Sequence, residues 1–174
     1  MIALPAGSST SRARIDGAHL SVTAISMVGA ILGGTLFGWL SDLFGRRRSM
    51  IIALLLATAV VPLWAFAPSL PLLITGAFLM QFLVQGAWGV IPAHLSELAP
   101  DSVRGFLPGF GYQCGVLLAS SVSYIEAVFA HRTSYAIAMA GTAATVFLLA
   151  AAAAALGPER RAVSFGGGPS ESDS

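Results

Sequence analysis

Residues able to do chemistry are few in this chain, and most of them stand in two short runs. The first is G-W-L-S-D-L-F-G-R-R-R, holding Gly38, Asp42, Gly45, Arg46, Arg47 and Arg48. On a helix, Gly38 and Asp42 share a face four residues apart, so Gly38 admits a close neighbour while Asp42 emerges on the same side. Gly45 lets the chain reverse, and the arginines after it can pair with Asp42, with another carboxylate or with anionic headgroups. A plain basic stop at a membrane surface accounts for the arginines but does not need the glycine and the acid at those offsets. The second run is P-A-H-L-S-E-L-A-P-D-S-V-R-G, with Pro92, Glu97, Pro100, Arg104 and Gly105. The two prolines interrupt helical hydrogen bonding and bracket a short segment, which leaves Glu97 and Arg104 as opposite charges able to bridge it. One exposed pair is worth only about 0 to 1 kcal/mol, so a switch built here needs the arginine cluster as well.

The remaining polar side chains lie within apolar stretches. Gln81 and Gln85 are one turn apart, and amides left bare in hydrocarbon cost several kcal/mol, so they must face protein or water. A strip lining a solute pathway and a pair of interhelical hydrogen bonds both fit that spacing. Tyr112 and Gln113 follow Gly105, Pro108, Gly109 and Gly111, so they sit where a helix starts loosely wound and can bend; they can bind a hydroxyl or carboxylate, or serve close packing. Glu126 is the single carboxylate inside an apolar block, which makes it a weak candidate proton site, yet three residues from the block's end it can snorkel to the interface. His94 is a second weak proton candidate, expected at headgroup level. Cys114 reads as an inert small filler. With one cysteine and three scattered histidines there is no metal-ligand constellation, and no cofactor motif is present. Nothing clusters a nucleophile with a base, so the chain is not read as an enzyme.

What must position these residues follows from composition. Of 174 residues, 56% are hydrophobic and 10% charged; mean hydropathy is +0.80. This excludes an ordinary soluble globular domain. The net charge of +1 offers no basic surface for nucleic acid. Apolar residues fall into five blocks, 20–41, 50–67, 71–91, 106–129 and 134–156. A helix needs about 20 residues to cross about 30 Å of hydrocarbon, so these are five transmembrane helices of an all-α integral membrane protein, with a transmembrane domain over 20–156. Ala30, Gly34 and Gly38, at spacing four, are expected to pack the first helix against a neighbour. Arg12, Arg14 and Arg132 fall on one face of the membrane, and Arg46, Arg47, Arg48, Arg104, Arg160 and Arg161 on the other. The positive-inside bias makes the second face cytoplasmic, with the N-terminus outside and the C-terminus inside a plasma (cell inner) membrane. Residues 1–19 form an extracytoplasmic tail and not a cleaved signal, and 157–174, rich in Gly, Ser and acids, a disordered cytoplasmic tail.

Taken together, G-x-x-x-D-x-x-G-R-R-R after one helix and E-x-x-P-x-x-x-R-G two helices later resemble the major facilitator superfamily. The stretch from Pro92 to Ser120, with G-P-E at Gly157 to Glu159, is similar to the carboxylate and sialate:proton symporters within its metabolite:proton branch. The resemblance covers roughly 20–165 and implies the last five helices of a twelve-helix carrier, hence a partial C-terminal bundle. It implies a segment of a secondary active transporter that moves a small organic solute, a carboxylate by the branch resemblance, together with a proton by alternating access. The implied partners are solute, proton and lipid bilayer, and either the absent N-terminal half or further copies of the chain. A small non-transporting membrane protein, or an inactive fragment, is the alternative. In the implied transporter the charged loops form the cytoplasmic gate.

Overall fold

The structure is a computed structural model that describes residues 7–100, 102–130 and 133–157. The described residues build six helices: α1 (Gly7–Phe44), α2 (Arg46–Ala65), α3 (Leu70–Leu98), α4 (Leu107–Ser120), α5 (Val122–Ala130) and α6 (Tyr135–Leu156). Four of these have the length and apolar composition to cross a membrane, namely 16–44 within α1, α2, α3 and α6. The all-helical membrane architecture expected from the apolar blocks is therefore present, with altered ends. The first helix starts at Gly7, so part of the expected tail 1–19 is helical, and the expected C-terminal tail lies outside the described residues except for Gly157.

Two helix boundaries differ from those expected. Pro92 does not end α3, which runs through it to Leu98. Proline removes one donor and crowds the turn before it, yet helices in membranes tolerate it where neighbouring helices hold the segment, and α3 keeps Val90 and His94 buried on either side of Pro92. The fourth apolar block, expected as one helix over 106–129, is instead divided at Ser121 into α4 and α5. The sequence there is A-S-S-V-S, and the Ser120 hydroxyl donates to the Leu117 carbonyl at 2.6 Å. Hydroxyls of this kind offer helical carbonyls a rival partner and favour a bend.

Helix α3 is the centre of the bundle, packed against both α1 and α2, while α6 lies against α2 and α5 against α6. The buried stripe of α2, Met50, Ala53, Leu54, Ala57 and Val61, repeats at helical spacing and meets Met80, Leu83, Ala87 and Val90 of α3. Other faces stay apolar and exposed, as at Leu20, Ile52, Leu56 and Leu149, the pattern of helices whose outer surface meets lipid.

At Gly29 and Gly33, helices α1 and α3 approach so closely that no side chain fits on the glycine. A Cβ on Gly29 would lie 2.6 Å from the Phe78 carbonyl oxygen, and one on Gly33 would collide with the Phe82 carbonyl. Phe37 fills the space over Gly86 and meets Phe82 edge to face, with ring centres 5.8 Å apart. The expected strip of Ala30, Gly34 and Gly38 is thus displaced by one position. Gly34 stands opposite Gly89, but Gly38 has nothing within 4 Å of its would-be Cβ, so it is not a residue of close approach.

Candidate functional site

At one end of the bundle, α1 and α2 are joined by the single residue Gly45, with φ 101° and ψ 143°. That backbone region is reached at little cost only by glycine. The turn closes with Gly45 N–H donating to the Ser41 carbonyl at 3.1 Å and Ser49 N–H donating to the Gly45 carbonyl at 3.1 Å. Gly45→Ala is therefore expected to destabilise the chain by about 1 to 3 kcal/mol, measured by unfolding in mixed micelles, whereas Gly38→Ala should be near neutral.

Because the reversal uses one residue, Arg46 opens α2 while still beside the end of α1. Its guanidinium is the hub of the site. Nη1 lies 2.7 Å from Asp42 Oδ1 and donates to Ser41 Oγ at 2.6 Å, and Nε donates to Glu97 Oε1 of α3 at 3.1 Å. Ser41, itself 2% exposed, passes its own proton to the Gly38 carbonyl at 2.6 Å. Helix α2 has no acid in its first turn, so a cation there stands at the positive end of the helix dipole without local relief. Asp42 and Glu97, brought from the neighbouring helices, supply the compensating charge. They are unequal partners, since the Asp42 side chain is 60% exposed and that of Glu97 only 11%. The second Glu97 oxygen, Oε2, is buried with no hydrogen-bond partner among the described residues.

The three arginines, adjacent in sequence, go to three places. Arg46 joins α1 and α3 as above. Arg47 extends to α6 and donates through Nη2 to the Ala155 carbonyl, one of the last-turn carbonyls that the helix itself leaves unbonded. Arg48 is exposed. The expected bridge between Glu97 and Arg104 is replaced by the pair of Glu97 with Arg46, while Arg104 Nη2 donates to the Ala99 carbonyl at 3.5 Å. The physical reason is the continuation of α3 through Pro92, which carries Glu97 as a helical residue onto the face buried against its neighbours. Gly105 is exposed in the turn before α4. His94, expected among headgroups, is instead 7% exposed, one turn before Glu97 on the same face.

The polar residues within the helices are not gathered into one pathway. Gln81 lines a cleft with Trp64 of α2 and Thr23 and Ser26 of α1. Tyr112 and Gln113 line a separate, open hollow with Gly105, Phe106, Gly109 and Phe110. The partly buried Gln85 sits where α3 passes Gly34 of α1. Tyr112 also meets Trp88 edge to face, with ring centres 5.6 Å apart, over an apolar cavity of about 150 Å³ between α3 and α4. Glu126, expected to snorkel, is partly buried between α5 and α6, with Thr142 Oγ1 2.9 Å from its Oε1.

Sequence reasoning missed Ser41 and Trp88. The first carried a signal, a small hydroxyl residue beside the acid of the loop run; Trp88 carried its own, one turn beyond Gln85 on the same helix face.

The profile of the family described as "Sugar (and other) transporter" matches residues 7–159. The chain is 33% identical over 111 residues to the carboxylic acid transporter protein homolog of Saccharomyces cerevisiae, a match covering 64% of this chain and 18% of that one. It is 35% identical over 104 residues to myo-inositol transporter 2 of Cryptococcus neoformans, covering 58% of this chain and 19% of the relative. Among solved structures, the inward open conformation of the xylose transporter XylE from E. coli superposes with a TM-score of 0.63 and 22% identity, over 79% of this chain and 37% of that chain. The chain thus spans about a fifth of the length of these curated relatives.

Proposed function

Since the chain belongs to the sugar (and other) transporter family of the major facilitator superfamily, we propose that it is a segment of a secondary active transporter for a small organic solute. It is a multi-pass membrane protein, and its Arg46 cluster is proposed to be a cytoplasmic gate. The observation that carries this reading is that one guanidinium ties α1, α2 and α3 together at one end of the bundle. Alternating access requires helices that rock as bodies about a site between them. A charge junction at the helix ends holds one arrangement and, when opened, permits another. The buried Glu97 gives the junction strength, because separating it from Arg46 leaves a carboxylate poorly solvated.

The solute is proposed to be a carboxylate moved with a proton. Support comes from the run between Pro92 and Ser120 and from the yeast carboxylic acid transporter homolog among the relatives. The relatives also include inositol and sugar transporters, so substrate choice is the part of the proposal that needs a direct assay. Arginine is absent from the five apolar blocks, and a cation facing the carboxylate would come from elsewhere in the transporting assembly. Tyr112 and Gln113, beside the loosely wound start of α4, are proposed to face the solute. Glu126 and His94 remain the candidate proton sites. The Arg count on the two faces supports the N-terminus outside and the C-terminus in the cytoplasm of the plasma membrane.

The test is a chimera of the yeast relative whose matched segment is replaced by this chain, followed in cells with labelled lactate, inositol and xylose. Lactate uptake that collapses when the proton gradient is removed is the expected result. Gradient-independent uptake, or uptake of inositol or xylose in its place, would contradict the carboxylate:proton reading. The chain alone, reconstituted in vesicles, is expected to insert without catalysing uptake.

A further inference from the structure

The cleft holding Gln81 lies far from the Arg46 cluster and belongs to a different part of the bundle from Tyr112 and Gln113. Trp64 stands eighteen residues beyond Arg46 in α2, a rise of about 27 Å at about 1.5 Å per residue, so the cleft opens near the opposite membrane interface. Its volume is about 410 Å³, within the range of small-molecule sites. Three chemical features share it. The Gln81 amide is half-buried and makes no hydrogen bond among the described residues. The Ser26 hydroxyl, 7% exposed, spends its proton on the Thr23 carbonyl at 2.8 Å, which leaves its oxygen able only to accept. Trp64, Met80 and Val84 provide an apolar wall.

We propose that this cleft is a binding site for a neutral amphiphile that carries a hydroxyl group on an aliphatic body. The hydroxyl proton goes to Ser26 Oγ or the Gln81 carbonyl, its oxygen accepts from the Gln81 amide N–H, and the aliphatic part lies against Trp64 and Met80. Among the described residues that line the cleft none is charged, so a carboxylate or ammonium there would lose its hydration without a counter-ion. A pure hydrocarbon would leave the Gln81 amide bare. An uncharged alcohol satisfies both conditions. The proposal is independent of the transport reading, since it concerns binding to the chain itself.

The experiment uses the full chain in phosphatidylcholine nanodiscs with Trp39→Phe and Trp88→Phe, leaving Trp64 as the single fluorophore. Quenching is followed against 8-bromo-octan-1-ol and against 1-bromo-octane, each as a mole fraction of lipid. The expected result is saturable quenching by the alcohol, linear quenching by the alkane, and a saturation point about tenfold higher for the alcohol in Gln81→Leu. A companion chain retaining only Trp88 should show linear quenching with both probes. Linear quenching of Trp64 by the alcohol, or saturation unmoved by Gln81→Leu, overturns the site. Should Gln81→Leu lose its helical content, Val84→Phe, which fills the cleft, serves in its place: loss of saturation supports the site and retained saturation overturns it.

Discussion

Replacing Arg46 by Gln is expected to destabilise the chain by about 3 kcal/mol, and the same change at Arg48 by nearly nothing. Removing one member of a buried ion pair costs about 3 to 5 kcal/mol because the other charge is left uncompensated. The lower end applies here, since the Arg46 side chain keeps 20% of its exposure and water can reach the site. Arg47→Gln should fall between, having lost one charge-assisted bond to the end of α6. Unfolding midpoints of the three variants in mixed micelles check the order. Equal effects would mean that the arginines exchange roles and that the separate destinations of Arg46, Arg47 and Arg48 do not persist in the membrane. Asp42→Asn should cost less than Arg46→Gln, because Asp42 is largely exposed whereas Glu97 is not.

Gly33→Leu is expected to part α1 from α3, at about 3 kcal/mol or more. Overfilling a packed contact generally costs about 1 to 3 kcal/mol by forcing neighbours to shift. At Gly33 the obstacle is the Phe82 backbone carbonyl, which cannot turn aside as a side chain can. Gly38→Leu, five residues nearer the loop and one residue outside the contact register, should change stability by less than about 0.5 kcal/mol. A disulfide between cysteines placed on α1 and α3 beside Gly33 should form quickly in the parent and slowly in Gly33→Leu. Equal effects at the two glycines would contradict the register of the helix pair.

The contrast between Gly33 and Gly38 shows what was legible in the sequence. Apolar blocks of membrane-spanning length give away the all-helical class, because hydrocarbon leaves the backbone few alternatives. They do not reveal which face of a helix meets its neighbour. In a chain apolar on every side, polarity cannot mark the buried stripe, and Ala30, Gly34 and Gly38 are as regular in spacing as Gly29 and Gly33. Helix ends were misplaced for a related reason. Pro92 and the serines around Ser121 are both disruptive by type, yet α3 passes through the first, where its buried face is held against its neighbours, while the fourth block divides at the second. The charged loop offers its residues in the sequence but not their pairing. Its members were visible because charge is rare here, but the partner of Glu97 depends on how far α3 continues, and that lies outside any local pattern.

The most direct test of the gate is a cycle of uptake rates in the chimera described above, with Arg46→Gln, Glu97→Gln and both together, at equal membrane content. If Arg46 and Glu97 act through one another, either single change should slow uptake by about tenfold, and the double variant should be no slower than the slower single, a coupling of about 1 to 2 kcal/mol. Rates in the double variant equal to the product of the two single effects would show that the residues act independently, and would contradict a gate centred on Arg46.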